Sequence, residues 1–242
     1  MKQWFSLFLF LILPIAYAQK LIIGTTFHNP PFNSLADQKE HFYGFDIDMM
    51  GNICKRLSLQ CKFIPVTFNN LFTALQAGKI DAAMAGIIIT PGRQEEFLFS
   101  LPYLESNAQF MTLAQSPLHT PDEIRNKRVG VRLGTPFKRS LALSLYHHSI
   151  QIVEYSNNED LFDGLSNNAV DVILMDAWSV KSWVANNGSL YKSIGSPVPV
   201  GEGYGIMTTY ENKNLITDIN KAILDMEADG TYLKIYDIYF GD

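Results

Sequence analysis

The feature that most restricts the possible folds is a repeated unit. Asn70-Leu71-Phe72-Thr73-Ala74-Leu75 is followed by Ile80-Asp81-Ala82, and about 90 residues later Asp160-Leu161-Phe162-Asp163-Gly164-Leu165 is followed by Val170-Asp171-Val172. Each copy reads as a short helix with apolar positions at i, i+1 and i+4, then a turn, an acidic residue and a strand. A single match is also compatible with chance recurrence of a common helix–strand unit. If it is real, it describes two lobes of like construction, each with a parallel sheet. Ligands of open α/β sheets bind beyond the carboxyl ends of the strands. Those ends fall at Ala85-Gly86 and at Met175-Asp176, and two such ends facing each other make a cleft.

The rest of the chain alternates in the same way, the pattern of an α/β protein. Strands are predicted at Leu21–Thr25, Cys61–Phe68, Ala82–Ile89, Val129–Leu133, Ile150–Tyr155, Val170–Met175 and Tyr204–Thr208. Helices are predicted at Phe45–Leu59, Leu71–Ala77, Asn158–Ser166, Trp178–Asn186, Asn214–Glu227 and Tyr232–Tyr239. In the first of these, Ile47, Met50, Cys54 and Leu57 recur at helical spacing as one buried stripe.

The amino terminus reads as an export signal. Lys2 supplies the positive region, Phe5–Ile15 is almost wholly apolar, and Ala16-Tyr17-Ala18 has small residues where a signal peptidase reads. The run of roughly a dozen residues falls short of the ~20 that a membrane span needs, which disfavours an anchor. Cleavage after Ala18 would leave Gln19 first and release the protein. The formal net charge is −5 and there is no basic tract, so nucleic acid and anionic membrane surfaces are poor partners. Cys54 and Cys61 are the two cysteines. In an oxidising compartment such a pair reads as a disulfide. A metal or redox pair would call for Cys-x-x-Cys spacing or a nearby histidine, and neither is present.

Several motifs in order resemble the polar amino-acid-binding proteins of bacterial ABC importers. They are Gly44-Phe45-Asp46-Ile47-Asp48, Leu75-Gln76-Ala77-Gly78-Lys79-Ile80-Asp81-Ala82 and Ile89-Thr90-Pro91-Gly92-Arg93. Lys127-Arg128-Val129-Gly130-Val131, Gly134-Thr135 and the closing run Ala228-Asp229-Gly230-Thr231-Tyr232 with Tyr239-Phe240-Gly241 complete them. The likeness spans the mature chain and is similar to the lysine/arginine/ornithine-, histidine-, arginine- and glutamine-binding proteins. It implies a two-lobed type II periplasmic-binding-protein fold, each lobe a mixed sheet flanked by helices. A signal peptide would occupy 1–18, the first lobe 19–107 and 201–242, and the second lobe 108–200. It also implies a monomer in the periplasm that hands a free amino acid to an inner-membrane ABC permease, with no cofactor and no metal. Some basic-amino-acid binders of this kind also carry a cysteine pair matching Cys54 and Cys61.

The resemblance assigns roles residue by residue. Arg93 would clamp the ligand's α-carboxylate with two parallel hydrogen bonds, which a lysine could not make; its alternative is a surface pair with Glu95 or Glu96. Backbone groups at Gly134-Thr135 would assist. Asp176, after the apolar run Val172-Ile173-Leu174-Met175, would receive the α-ammonium; it could also cap the helix that follows. Phe68 would form an aromatic wall, as would Phe32 if it is not simply core. Ala85, Gly86 and Ile88 would offer backbone groups, and Thr90 a hydroxyl. Thr26 and Ile88 stand where relatives often have aspartates, and Pro136 removes an expected hydroxyl. Arg132 stands where glutamine-binding relatives have lysine. A second cation without a facing carboxylate disfavours a cationic side chain, so a neutral polar ligand such as glutamine is expected, unless Asn29, Glu105 or Glu202 reaches the pocket. Neither a nucleophile–base motif nor a phosphate loop supports an enzyme, and adjacent His147 and His148 do not face one site. A sensor for a membrane receptor is a further alternative.

Overall fold

A computed structural model describes residues 20–36, 41–143 and 149–241. The export signal and His147-His148 lie outside the described residues. Two five-stranded sheets carry the fold. The first runs in the order Gln60–Pro65, Lys20–Thr25, Ala82–Ala83, Met207–Thr208, Leu98–Phe99. The second runs Gln151–Tyr155, Arg128–Arg132, Val172–Asp176, Asn107–Leu113, Tyr191–Pro199. In each, three parallel strands with the earliest in the middle are extended by two more, each antiparallel to the strand before it in the sheet. A small antiparallel sheet of His28–Asn29, Asn33–Leu35 and Phe42–Tyr43 sits beside the first.

The repeat is therefore structural, and its residues do matching work. In the first sheet the Asp81 carboxylate accepts from Ile22 N at 2.7 Å and Asp81 N donates back to Ile22 O. In the second, Asp171 accepts from Arg128 N at 2.8 Å and donates back to Arg128 O. A threonine on the neighbouring antiparallel strand donates to each acid's carbonyl, Thr208 to Asp81 and Thr112 to Asp171. The acids thus bind the start of the central strand to the start of the third. Gly24 and Gly130 are matched too. A Cβ on Gly24 would meet Leu71 at 3.0 Å, and one on Gly130 would meet Leu161 at 2.8 Å, so in both copies the helix leucine packs directly on the strand backbone.

The helix Phe45–Arg56 explains its own limits. Phe45, Met49, Met50, Ile53 and Cys54 are buried at i, i+4 and i+1 steps, one apolar face against the first sheet. At its start Phe45 N donates to Pro31 O and Asp46 N to Phe32 O, both at 2.9 Å, which satisfies two of the amides a helix leaves open. It ends at Leu57, followed by Ser58 in the left-handed region at φ 55°. Cys54, in this helix, is bonded to Cys61 in the adjoining strand. Closing so short a loop stabilises by about 2.5 kcal/mol in the chain-entropy model. The Cys54→Ser/Cys61→Ser variant should accordingly melt roughly 5–10 °C lower, as calorimetry would show; an unchanged melting temperature would refute this.

The structure departs from the sequence reading where strands are short, polar or broken. The strand expected over Ala82–Ile89 is regular only at Ala82–Ala83, because Gly86 turns at φ 60° and the chain resumes pairing at the single bridge Ile88–Tyr204. Tyr204–Thr208 likewise narrows to Met207–Thr208. Tyr191–Pro199 is a strand absent from the sequence reading, and its Gly195, Pro197 and Pro199 are residues that disfavour strands. It is an edge strand with a register shift between Ile194 and Val198, a place where proline is tolerated.

Candidate functional site

The site is the seam where the two sheets approach. The chain passes from the first sheet to the second before Asn107 and returns after Pro199, and these crossings pair side by side, Pro199 opposite Asn107. Ser106 fastens them, its backbone O accepting from Val200 N at 3.1 Å and its Oγ accepting from Gly203 N at 3.1 Å.

On the first-sheet side, Ala85, Gly86 and Ile88 form the buried strand end. The Gly86 amide is taken by the Asp46 carboxylate at 2.7 Å. Thr90 caps the short helix Pro91–Gln94 and accepts weakly from Arg93 N at 3.4 Å. Arg93, on that helix, reaches across the seam. Its guanidinium donates to Ile88 O on its own side and to Gly134 O on the other, the latter at 2.8 Å. It also lies over the Phe72 and Phe68 rings, 5.1 and 5.7 Å from their centroids. Burial and the nearby charge of Arg132 pull its pKa down to about 10, so it stays cationic at neutral pH. The structure does not pair Arg93 with Glu95 or Glu96.

On the second-sheet side, Arg132 ends the central strand, 5 % exposed, with its guanidinium 4.2 Å from the Phe68 centroid. This is cation–π geometry. Its Nε has no hydrogen-bond partner among the described residues. Burial pushes its pKa down, opposed by Asp176. Thr135 turns its hydroxyl onto Arg132 O at 2.6 Å. Asp176, 3 % exposed, stands at the start of the helix Ala177–Asn187 but caps none of its amides through its side chain. Its carboxylate instead accepts from Tyr204 Oη at 2.7 Å across the seam. Burial raises its pKa, while Arg132, the Tyr204 bond and Arg93 work against that rise.

A third crossing involves Asn29, which is buried. Its Oδ1 accepts from Asn158 Nδ2 at 3.0 Å, and Asn158 also reaches His28 O at 3.2 Å. The Asn29 Nδ2 has no partner among the described residues. Beside it a cavity of about 190 Å³ is lined by Thr26, His28, Thr67, Phe68, Arg132, Asn158 and Glu159. A larger groove of about 560 Å³ lies at the crossings, between Glu105, Gln109, Trp178 and Lys181, away from where the opposed charges converge. Phe32 packs on Tyr204 and Phe240 inside the first lobe's core, not in the seam. Glu105 and Glu202 are exposed at the crossings and do not line the cavity at Phe68. Sequence reasoning missed Tyr204, Tyr103 and Asn158. Tyrosine and asparagine carry no spacing signal, whereas Asp46 was visible within the Gly-Phe-Asp motif but had no assigned role.

Two sheets of one topology, meeting at a seam that places Arg93 and Asp176 on opposite sides, define a two-lobed α/β protein. The chain belongs to the bacterial extracellular solute-binding proteins, family 3, whose sequence pattern matches residues 21–242. It is 31% identical over 227 residues to an ABC transporter arginine-binding protein 1 of Escherichia coli, covering 92% of this chain and 91% of that one. An arginine transport-system periplasmic binding protein of Legionella pneumophila superposes with a TM-score of 0.88 at 42% identity, over 92% of this chain and 100% of that one. An ancestral arginine-binding protein bound to glutamine gives a TM-score of 0.85 at 32% identity, over 93% and 100%. The fold is that of the type II periplasmic binding proteins.

Proposed function

We propose that this protein captures a free polar L-amino acid in the periplasm and delivers it to an inner-membrane ABC permease. The observation that carries the reading is the opposed pair, a cationic Arg93 from one sheet and a buried carboxylate at Asp176 from the other. A zwitterion satisfies both, α-carboxylate to Arg93 and α-ammonium to Asp176, and so favours the closed form by its differential affinity. The strand end Ala85–Ile88, Thr90 and Thr135 border the ligand backbone, and Phe68 flanks its side chain. We place the lobes at 19–107 with 201–242 and at 108–200, behind a cleaved signal at 1–18, and take the protein to act as a monomer.

The side chain of the ligand is neutral and polar in this reading. Arg132 and Asn29 each bring a buried donor without a partner among the described residues, and both suit a carbonyl oxygen such as that of glutamine. A guanidinium or ammonium in their place would meet the charge of Arg132. Arginine, named for the relatives in Escherichia coli and Legionella pneumophila, is the second reading, and Glu159 in the cavity wall is the residue that favours it.

A thermal-shift screen of protein refolded free of carried ligand, against the standard amino acids, ornithine and citrulline, tests this. A ligand at a hundred times its Kd adds about 2.7 kcal/mol. The largest shift is expected with glutamine or another neutral polar amino acid. A shift confined to arginine, lysine or histidine would replace the neutral ligand by a cationic one. No shift with any of them would overturn amino-acid binding itself.

A further inference from the structure

Asp46 is the most deeply buried acid among the described residues of the first lobe, and the ligand-binding account leaves it without a task. It is fully enclosed in the first turn of the helix Phe45–Arg56. One carboxylate oxygen accepts from Gly86 N at 2.7 Å and the other from Tyr103 Oη at 3.0 Å. Gly86 is the left-handed corner, φ 60°, of the strand end that borders the ligand. Tyr103 stacks on Tyr204, ring centroids 6.5 Å apart and planes at 28°, and Tyr204 donates to Asp176. Two buried carboxylates therefore stand at the ends of one short column of tyrosines, one inside the first lobe and one in the seam.

We infer that Asp46 is a positioning residue of the cleft which, without touching the ligand, holds the Gly86 corner and the Tyr103 hydroxyl and releases a proton to solvent when the ligand's ammonium docks on Asp176. The inference rests on the amino-acid reading above. The physical reason is charge coupling between carboxylates in a poorly solvated interior. Burial pushes the Asp46 pKa up, the bonds from Gly86 and Tyr103 pull it down, and the charge of Asp176 adds to the rise, leaving it at about 7. An ammonium placed against Asp176 cancels that last contribution. The ionised form of Asp46 then becomes more favourable in the complex than in the free protein. Binding that lowers a pKa releases protons, so affinity must rise as pH rises through the pKa of the free form.

The other titratable groups nearby cannot take this role. Tyr103 and Tyr204 are pushed well above 10 and stay protonated. Tyr232, which donates to Tyr103 O, is raised to about 12. Arg93 and Arg132, which act on Asp176, remain cationic at neutral pH. Burial pushes down the pKa of His28, in the wall of the cavity at Phe68, and any proton it exchanges on binding would persist in Asp46→Asn, which separates the two.

The test is isothermal titration of the whole mature protein with L-glutamine and, in parallel, L-arginine, from pH 5.5 to 8.5 in buffers of different ionisation enthalpy. The wild type should release a fraction of a proton per ligand near pH 7 and bind roughly three- to tenfold more tightly at pH 8 than at pH 6, a tenfold change corresponding to one pKa unit. Asp46→Asn should bind more weakly with neither proton release nor pH dependence in that window. Tyr103→Phe, which removes one donor to the carboxylate, should move the midpoint to higher pH, a shift that a purely structural role would not cause. A wild type that binds without exchanging a proton near pH 7 overturns the inference even if Asp46→Asn fails to fold. So does an Asp46→Asn protein that keeps the wild-type profile. Absence of binding by either amino acid and by every other in the thermal screen would instead overturn the amino-acid reading, and this inference with it.

Discussion

Arg93→Ala is expected to weaken binding of the amino acid found in the thermal screen by about 2–5 kcal/mol, roughly 30- to 5000-fold, the range for removing one partner of a desolvated charge pair. Arg93 donates to backbone carbonyls on both sides of the seam and stacks on two phenylalanines. Alanine therefore removes the cation and its reach together. Lysine at the same place should recover little, because a single ammonium cannot present two parallel donors to a carboxylate. Asp176→Asn is the matching change on the other lobe. It keeps an acceptor for Tyr204 but no charge for the ligand's ammonium, and the loss should fall in the same range. Asparagine is preferable to alanine, since it fills the same space and keeps an oxygen to accept from Tyr204. Without ligand, Arg93→Ala should keep a melting temperature close to wild type, whereas Asp176→Asn, which leaves the buried Arg132 without its anion, should melt lower, as calorimetry beside the titration would show. Affinity within threefold of wild type in both would refute the carboxylate and ammonium assignments.

The second large effect is on folding. Gly44→Ala should cost about 3 kcal/mol or more and lower the melting temperature by at least roughly 6 °C. Gly44 precedes the helix Phe45–Arg56 with φ 131° and ψ 171°, a region open essentially to glycine alone. Its α-carbon is pressed against the Phe32–Asn33 backbone. An added Cβ would lie 2.7 Å from Phe32 C, 2.8 Å from Asn33 Cα and closer still to Phe32 O. Backbone cannot swing aside as a side chain can. Phe32 O also holds the amide of Asp46, so any retreat would strain the turn that carries Asp46 to Gly86. A melting curve superimposable on wild type would show that the chain adapts at no cost.

The individual residues differ in how far sequence could reveal them. The two copies of the helix–turn–acid–strand unit were legible because their physics is local. A leucine must seat on a glycine of the neighbouring strand, and an acid must close the strand starts, so the same letters recur at Gly24, Leu71 and Asp81 and at Gly130, Leu161 and Asp171. Arg93 and Asp176 were legible as well, one by its motif and one as a lone acid ending an apolar strand. The edge strand Tyr191–Pro199 and the strand Leu98–Phe99 were not, because their pairing comes from distant partners, and the first carries glycine and prolines while the second is only two residues long. Asn158 and Tyr204 were beyond reach for a similar reason. Each acts on a residue more than two dozen positions away, and ordinary polar residues announce no distant partner.

By itself, then, the sequence determined the repeated α/β architecture, the cysteine pair and the identity of the two opposed charges, since short-range packing and motif chemistry write these directly into residue type and spacing. Only the tertiary structure decided that Arg93 reaches Gly134, that Asp176 bonds to Tyr204 instead of capping its helix, and that Asp46 is enclosed beneath Gly86 and Tyr103. Those pairings depend on how two sheets meet, and desolvation acts on whichever groups that meeting encloses.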